Sequence, residues 1–193
     1  MEEQELISLS QKGDLQAFNR LVESYQSLVY NLSLRMLGDG SAAEDIAQET
    51  FIAAFRGINS FKGGNFKAWL LRIASNACID QLRSRKRRPT TSLDSFIEET
   101  GDIFPSPEDP PEQIAISRET MRDIQRGLAT LPEEQRLAIL LSDVHGYSYE
   151  EIAEITKSSL GTVKSRLSRG RANLRDYLLQ HSELLPQRFR YRE

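Results

Sequence analysis

The sequence predicts an all-α protein with two small helical domains joined by a flexible acidic linker. Apolar residues recur at helical spacing along most of the chain, and no stretch shows the alternation of a strand. Residues 89–115 contain five of the seven prolines, seven acidic residues and no Lys or Arg, which is typical of a flexible tether. These patterns divide the chain into a first domain (1–88), the linker (89–115), a second domain (116–180) and a basic tail (181–193).

The first domain is predicted to contain three helical segments. Residues 3–38 have a helical apolar pattern, with Asp14 as a candidate N-cap. Ser41 and Glu44 form a capping-box signature that predicts the start of the next helix. A glycine-containing loop then leads into a long helix over 66–88.

The end of that long helix is strongly basic. Five of its last six residues carry positive charge: Arg83, Arg85, Lys86, Arg87 and Arg88. Such a cluster indicates a patch that contacts phosphates, and a nuclear-localisation signal is the alternative interpretation.

The second domain ends in a predicted helix-turn-helix over 148–175. Ser148 with Glu151 forms a capping box for its first helix, and Ser159 is a plausible cap for the second. Between residues 157 and 175 there are six Lys or Arg and no acidic residue. The side of the second helix opposite its apolar residues carries four hydrogen-bonding or basic side chains: Thr162, Ser165, Arg166 and Arg169. This face suits a DNA major groove, and a solvated basic helix in an ordinary bundle is the alternative.

Several classes of protein are disfavoured by composition. The net charge is −3, so any nucleic-acid binding depends on local basic patches. Cys78 is the only cysteine, lies in an apolar pattern and is predicted to be buried and inert, while His145 and His181 form no metal-ligand motif. No segment approaches the ~20 apolar residues of a membrane span, and the acidic N-terminus does not read as a secretory signal. We therefore expect a cytoplasmic protein without metal or cofactor.

Five segments taken together resemble bacterial sigma factors, in particular the small extracytoplasmic-function group of the sigma-70 family. They occur in the order and spacing of that family, and the resemblance covers about residues 5–178. The segments are AEDIAQETF (43–51), FKAWLLRIASN (66–76), LPEEQR (131–136), GYSYEEIA (146–153) and GTVKSR (161–166).

The resemblance implies a function as well as a fold. Proteins of this family bind core RNA polymerase and direct it to a promoter, so the first domain corresponds to sigma region two and the second to sigma region four. Catalysis belongs to the polymerase, so no enzymatic role is implied. The implied partners are core RNA polymerase, promoter DNA and an anti-sigma factor, which in this group is often membrane-bound. When bound to polymerase, the protein is expected at the nucleoid.

The resemblance also implies roles for particular residues. The helix after Ser41 is expected to dock on a coiled coil of the largest polymerase subunit, although composition alone would make its polar side a solvated face. The docking candidates are Asp45, Gln48, Glu49 and Ile52. The second helix of the helix-turn-helix is expected to read the minus-thirty-five element, which adds Lys164 to the four residues on its polar face.

The resemblance also implies that the minus-ten element contacts the loop at 61–66 and the helix that follows it. A base drawn out of the duplex needs a pocket that offers stacking and hydrogen bonds to the base edge. The candidates are Phe61, Asn65, Phe66 and Asn76, with the basic cluster at 83–88 holding the DNA backbone. Asn76 is the strongest candidate because an amide can both donate to and accept from a base edge.

Two other functions compete with this interpretation. A stand-alone helix-turn-helix regulator would need neither the docking face at 45–52 nor two basic elements on a tether. A nuclease would need clustered carboxylates for metal ions beside the basic patches, and the sequence shows no such cluster.

Overall fold

The structure, a computed structural model, describes the backbone of residues 2–87 and 111–181 and the side chains of residues 2–87 and 119–181. Within these ranges the chain is helical and has no strand. The helices are α1 (Glu3–Gln11), α2 (Leu15–Leu37), α3 (Gly40–Gly57), α4 (Phe66–Arg87), α5 (Pro111–Thr130), α6 (Glu133–Ile139), α7 (Tyr149–Thr156) and α8 (Leu160–His181).

Helices α1 to α4 form the first bundle. Helix α2 packs against α1, α3 and α4, because its apolar side runs along most of its length. The fully buried side chains of this bundle include Leu21 and Leu32 of α2 and Leu70 and Leu71 of α4. This bundle corresponds to the predicted first domain.

Helices α5 to α8 form the second bundle, in which α8 packs against α5, α6 and α7. One π-helical turn, Leu140–Val144, extends α6, and Gly146 then adopts a left-handed conformation (φ 71°) that redirects the chain towards α7. Val163 and Leu167 bury the inner side of α8. None of the described helices is long and apolar enough to cross a bilayer.

Most helix starts lie where the sequence predicts them. The Asp14 carboxylate accepts hydrogen bonds from the backbone of Gln16 and Ala17, and the capping box of Ser148 with Glu151 forms at α7. The prediction of Ser41 as the cap of α3 is wrong. Asp39 caps that helix instead, because its extended backbone directs the carboxylate to the Ala42 amide at 2.9 Å.

The linker prediction is tested only at its C-terminal edge. Helix α5 begins at Pro111, so part of the predicted linker 89–115 is helical. Residues 88–110 and the tail from residue 182 lie outside the described residues.

The two bundles pack against each other. Helix α4 contacts α6 and α7, and α2 contacts α5 and α6. The buried apolar residues of both bundles join in one continuous cluster. The sequence predicted two domains on a tether and contained no indication of this contact.

Candidate functional site

The outer face of α3 presents the predicted docking residues side by side. Asp45, Gln48, Glu49 and Ile52 are spaced at i, i+3, i+4 and i+7, and all four are exposed. Ile52 is 52% exposed, which is unusual for an isoleucine on a well-packed helix.

A shallow groove of about 370 Å³ runs between α2 and α3 beside this face. Its lining is mostly apolar, with Val22 and Tyr30 on one side and Ala47 and Phe51 on the other. Gln48 belongs to both the face and the groove. An apolar centre with carboxylates and amides around it is the usual arrangement of a protein-binding hot spot with a polar rim.

Helix α8 carries the five predicted minus-thirty-five residues. Lys164, Ser165 and Arg169 are exposed, whereas Thr162 and Arg166 are half-buried. The Thr162 and Ser159 hydroxyls are 2.9 Å apart, and the Thr162 amide donates to the Ser159 hydroxyl, which confirms Ser159 as the cap of α8.

The cations of this face are available for another molecule. No ion pair or side-chain hydrogen bond joins Lys164, Arg166 or Arg169 to any of the described residues. The Ser165 hydroxyl donates to the Thr162 carbonyl within the helix, so its remaining capacity is mainly as an acceptor.

Arg171 has a different role from its neighbours. Its guanidinium pairs with the Asp143 carboxylate at 2.5 Å and lies 3.5 Å from the Tyr149 hydroxyl. The hydrogen bonds from Arg171 lower the pKa of the Asp143 carboxyl. Arg171 therefore fixes α8 to the end of the π-helical turn and to α7, and orients the face that carries Arg166 and Arg169.

The loop between α3 and α4 is held from both sides. Gln11 of α1 donates to the backbone carbonyls of Ile58 and Phe61, at 3.1 and 2.8 Å. Asn65 accepts from the Ala68 amide at 2.9 Å and thereby caps α4. Asn65 is exposed, but its side-chain oxygen already accepts the hydrogen bond that caps α4.

The predicted base contacts of Phe61 and Phe66 stay a prediction; Phe61 lines a cleft beside the loop, whereas Phe66 does not. They are 6% and 1% exposed, and their ring centroids lie 5.5 Å apart in an edge-to-face arrangement. Both also pack against Trp69, and Phe66 packs against Tyr25. Aromatic side chains beside a short loop contribute more free energy to folding when they are buried than when they are exposed. Phe61, Phe66 and Trp69 therefore pack together under the loop, and this cluster is called the aromatic floor.

A cleft of about 310 Å³ lies above this aromatic floor. Its walls include Lys62, Trp69 and Arg72 from the first bundle, with Glu154 and Lys157 from the second. Trp69 is half-buried, so it is both a core residue, as predicted, and part of the cleft surface.

Asn76 is exposed on α4, one helical turn beyond Arg72 and on the same side. Sequence reasoning missed Arg72 and Lys62, although the i, i+4 spacing of Arg72 and Asn76 could have indicated a shared face. It missed Glu154 and Lys157 because only the packing of the two bundles brings them to this cleft.

The basic end of α4 is largely engaged in ion pairs. Arg85 pairs with Asp39 of the first bundle at 2.9 Å, whereas Arg83 and Lys86 pair with acidic residues of the second bundle. The pKa of the Asp39 carboxyl is lowered, first by the Ala42 amide and then by Arg85. Arg87 is exposed, and Arg88 lies outside the described residues.

Among the side chains that the structure describes, no three His, Cys, Asp or Glu residues are placed to hold a metal ion together. Cys78 is buried as predicted. Burial raises the pKa of its thiol to about 11, and the thiol donates to the Ser33 hydroxyl at 3.6 Å.

Comparison with protein families identifies both bundles. The sigma-70 region 2 family matches residues 21–88, and the sigma-70 region 4 family matches residues 121–174. The ECF RNA polymerase sigma-E factor of Escherichia coli K12 is 40% identical over 174 residues, which cover 88% of this chain and 90% of that protein. The ECF RNA polymerase sigma factor SigE of Mycolicibacterium smegmatis is 41% identical over 166 residues, which cover 86% of this chain and 63% of that longer protein.

Solved structures agree with this likeness. The sigma factor RpoE of Bartonella quintana, crystallised with the anti-sigma factor NepR, has a TM-score of 0.63 and 26% identity, covering 88% of this chain and all of that chain (100%). CnrH, in complex with the cytosolic domain of CnrY, has a TM-score of 0.64 at 24% identity, covers 92% and 97% of the two chains, and shares the fold. The chain therefore belongs to the extracytoplasmic-function group of the sigma-70 family, whose members are transcription initiation factors and not enzymes.

Proposed function

We propose that this protein binds core RNA polymerase through the outer face of α3 and directs it to promoters. The observation that carries the proposal is the exposed Ile52, which shares one face of α3 with Asp45, Gln48 and Glu49 beside an apolar groove. A stand-alone DNA-binding regulator has no need for such a face. The same family identity supports core polymerase and promoter DNA as partners.

The minus-thirty-five element is proposed to be read by α8. Its outer side offers the cations Lys164, Arg166 and Arg169, which pair with none of the described residues, together with the hydroxyls of Thr162 and Ser165. Residues near the N-terminal end of such a helix reach base edges, and later arginines reach phosphates.

The minus-ten element is proposed to contact α4 and the cleft beside the loop. Asn76 is exposed on the side of α4 that also carries Arg72, and the cleft is comparable in size with sites for small ligands. In this proposal Asn65, Asn76 and the accessible parts of Phe61 and Trp69 meet the extruded base, while Phe66 supports them from the core.

The backbone of the same DNA segment is assigned to the basic cluster. Arg83, Arg85, Lys86 and Arg87 lie at the C-terminal end of α4, and Arg88 follows them in sequence. Contacts of this kind give affinity that falls with salt concentration but do not select a sequence.

Control by an anti-sigma factor is proposed from the likeness to RpoE of Bartonella quintana, which was crystallised with the anti-sigma factor NepR. The fold of the chain offers the same two helical units to such a partner. A cytoplasmic location, with association to the nucleoid when polymerase is bound, follows from this function.

Transcription in vitro with purified core polymerase tests the proposal. We expect the protein to bind core and to start transcripts from a specific promoter. Arg166→Ala should reduce the affinity for a promoter with the upstream element by about 5-fold to 150-fold, the equivalent of about 1–3 kcal/mol for one base contact, and leave core binding unchanged. Equal promoter affinity would refute the role of Arg166, and failure to bind core would refute the proposed function.

Asn76→Ala separates base capture from duplex binding. We expect slower open-complex formation on duplex promoters and a much smaller defect on promoters with a pre-melted minus-ten segment, since these do not require base extrusion. Permanganate footprinting of unpaired thymines measures open-complex formation on both kinds of template. Equal defects on the two templates would argue against base capture by Asn76.

A further inference from the structure

The last residue of α1 holds the start of the loop between α3 and α4. Helix α1 packs against the 3₁₀ turn Ile58–Ser60, which follows α3. From there the Gln11 side-chain amide donates to the Ile58 carbonyl at 3.1 Å and to the Phe61 carbonyl at 2.8 Å. An amide group has two N–H bonds, so these contacts use its full donor capacity. One side chain therefore bridges both ends of the turn that opens the loop.

The loop is also fixed at its other end. The Asn65 side-chain oxygen accepts from the Ala68 amide at 2.9 Å, and the Asn65 carbonyl accepts from the Trp69 amide at 3.1 Å. Between Phe61 and Asn65 lies an exposed tip made of Lys62, Gly63 and Gly64. Both glycines have a left-handed backbone, with φ values of 94° and 96°, which glycine adopts without steric cost. Such a short, glycine-rich tip depends on its two ends for its position.

The Gln11 amide is not what attaches α1 to the bundle. Leu6 and Ile7 of α1 are buried in the apolar cluster, and α1 packs along α2. Apolar burial of this kind is the main favourable contribution to folding. Gln11 is only half-buried and is the last residue of its helix. Loss of its amide should therefore leave α1 in place and affect mainly the loop.

The residues at the two ends of the loop are those that line the cleft. Phe61 and Asn65 both belong to its walls. A base binds more tightly to a pocket whose parts are already in position, because less conformational freedom is lost on binding. Fixing the backbone of a single residue corresponds to a factor of about 5 to 30 in an equilibrium constant. A hydrogen bond to the Phe61 carbonyl fixes the peptide group next to the ring that lines the cleft.

We propose that Gln11 is a positioning residue for recognition of the minus-ten element, which holds the backbone of Ile58 and Phe61 so that the loop is ordered before a DNA base enters. The inference rests on the proposed minus-ten function of the loop and α4. Gln11 acts through Phe61 and not by touching DNA. Its effect therefore falls on the discrimination between bases, whereas phosphate contacts by the basic end of α4 carry no sequence information.

The test measures base preference with the holoenzyme formed from the full chain and core polymerase. The probe is a pool of single-stranded DNA of roughly 12 nucleotides with randomised sequence. Sequencing of the bound and unbound fractions gives the preference for each base within the enriched motif. The total amount of pool bound measures the sequence-independent affinity, which comes mainly from phosphate contacts.

Gln11→Met removes both donors and keeps a flexible side chain of similar length. We expect the preference for the favoured base to fall about fivefold, while total binding of the pool changes by less than about twofold. Gln11→Lys places an ammonium with N–H donors at a similar reach, so it should restore most of the preference. A role confined to the stability of the folded protein would not produce this loss and recovery.

Gln4→Met and Gln4→Lys are the matched controls. Gln4 is exposed and lies on the same helix, about two turns before Gln11. The same substitutions there change volume and charge equally but leave the hydrogen bonds to the loop in place. Both control variants should keep the wild-type base preference.

Hydrogen exchange of the free chain, followed by mass spectrometry, tests the ordering of the loop directly. The Phe61 amide donates to the Ile58 carbonyl at 3.1 Å, so opening of the turn exposes it to exchange. Gln11→Met should accelerate the exchange of a peptide covering residues 58–66 several-fold. Peptides from α2 should exchange as in the wild type, which establishes that the bundle stays folded.

The outcomes separate the positioning role from the proposed function. Faster exchange of the loop, together with a loss of base preference that Gln11→Lys restores, supports the role of Gln11. Unchanged exchange, unchanged preference in Gln11→Met, or a loss that Gln11→Lys does not restore overturns it while the minus-ten assignment stands. A wild-type holoenzyme that binds the pool without preferring any base overturns the minus-ten assignment itself, and the positioning role with it.

Discussion

Replacing Ile52 with alanine tests the polymerase-docking face most directly. Full burial of an isoleucine side chain contributes about 1.5–3 kcal/mol, and Ile52 has about half of its surface left to bury. Its loss should therefore cost about 1 kcal/mol of binding free energy, rising to about 2 kcal/mol if a cavity remains in the interface. This corresponds to roughly fivefold to thirtyfold weaker binding to core polymerase.

The folding of the variant should hardly change. Because Ile52 is 52% exposed in the free protein, Ile52→Ala should alter the free energy of unfolding by less than about 0.5 kcal/mol. Urea unfolding followed by circular dichroism measures this quantity. Biolayer interferometry with immobilised core polymerase measures the affinity of the variant for core.

Leu15→Ala is the matched control. Leu15 is 60% exposed at the first position of α2 and does not line the groove. The Leu15→Ala variant should bind core polymerase with the affinity of the wild type. If Ile52→Ala also binds within about twofold of the wild type, the assignment of the α3 face to polymerase is wrong.

Two further predictions concern stability. Phe66→Ala should cost about 3–5 kcal/mol in urea unfolding, because it empties a site in the aromatic floor, whereas Asn76→Ala should cost less than about 1 kcal/mol; a small effect for Phe66 would contradict its buried role. His145 has a lowered pKa, first from burial and then from Arg35 and Lys67, so the native state favours its neutral form. Stability should fall as the pH drops below about 6.5, where the unfolded chain takes up the proton first. Urea unfolding at pH 8 and pH 5.5 should show a smaller loss for His145→Gln than for the wild type, and equal losses would refute this.

The parts of the fold that depend on short-range signals were predictable from the sequence. The capping box of Ser148 with Glu151 joins residues three positions apart, so the pattern itself contains the interaction. The choice between Asp39 and Ser41 at α3 was not predictable in this way, because both are good caps and the extended backbone at Asp39 decides between them.

Long-range contacts account for the rest. The hydrogen bonds of Gln125 and Arg136 to α2 join residues 90 and 100 positions apart, and neither residue interrupts a helical pattern. Phe61 and Phe66 flank a glycine-containing loop, and the resemblance implied that they contact a base, while their burial depends on Tyr25 and Trp69 from other parts of the bundle. The exposed faces of α3 and α8 were identified through resemblance and helical spacing, and their roles stay predictions.

The burial of Cys78 has a consequence for signalling. A thiol with a pKa of about 11 stays protonated at cellular pH, and the protonated form reacts poorly with peroxides and disulfides. As the sequence contains no second cysteine, oxidants cannot form a disulfide within this chain. A redox signal that acts through thiol chemistry would therefore have to reach this protein by way of a partner rather than through Cys78.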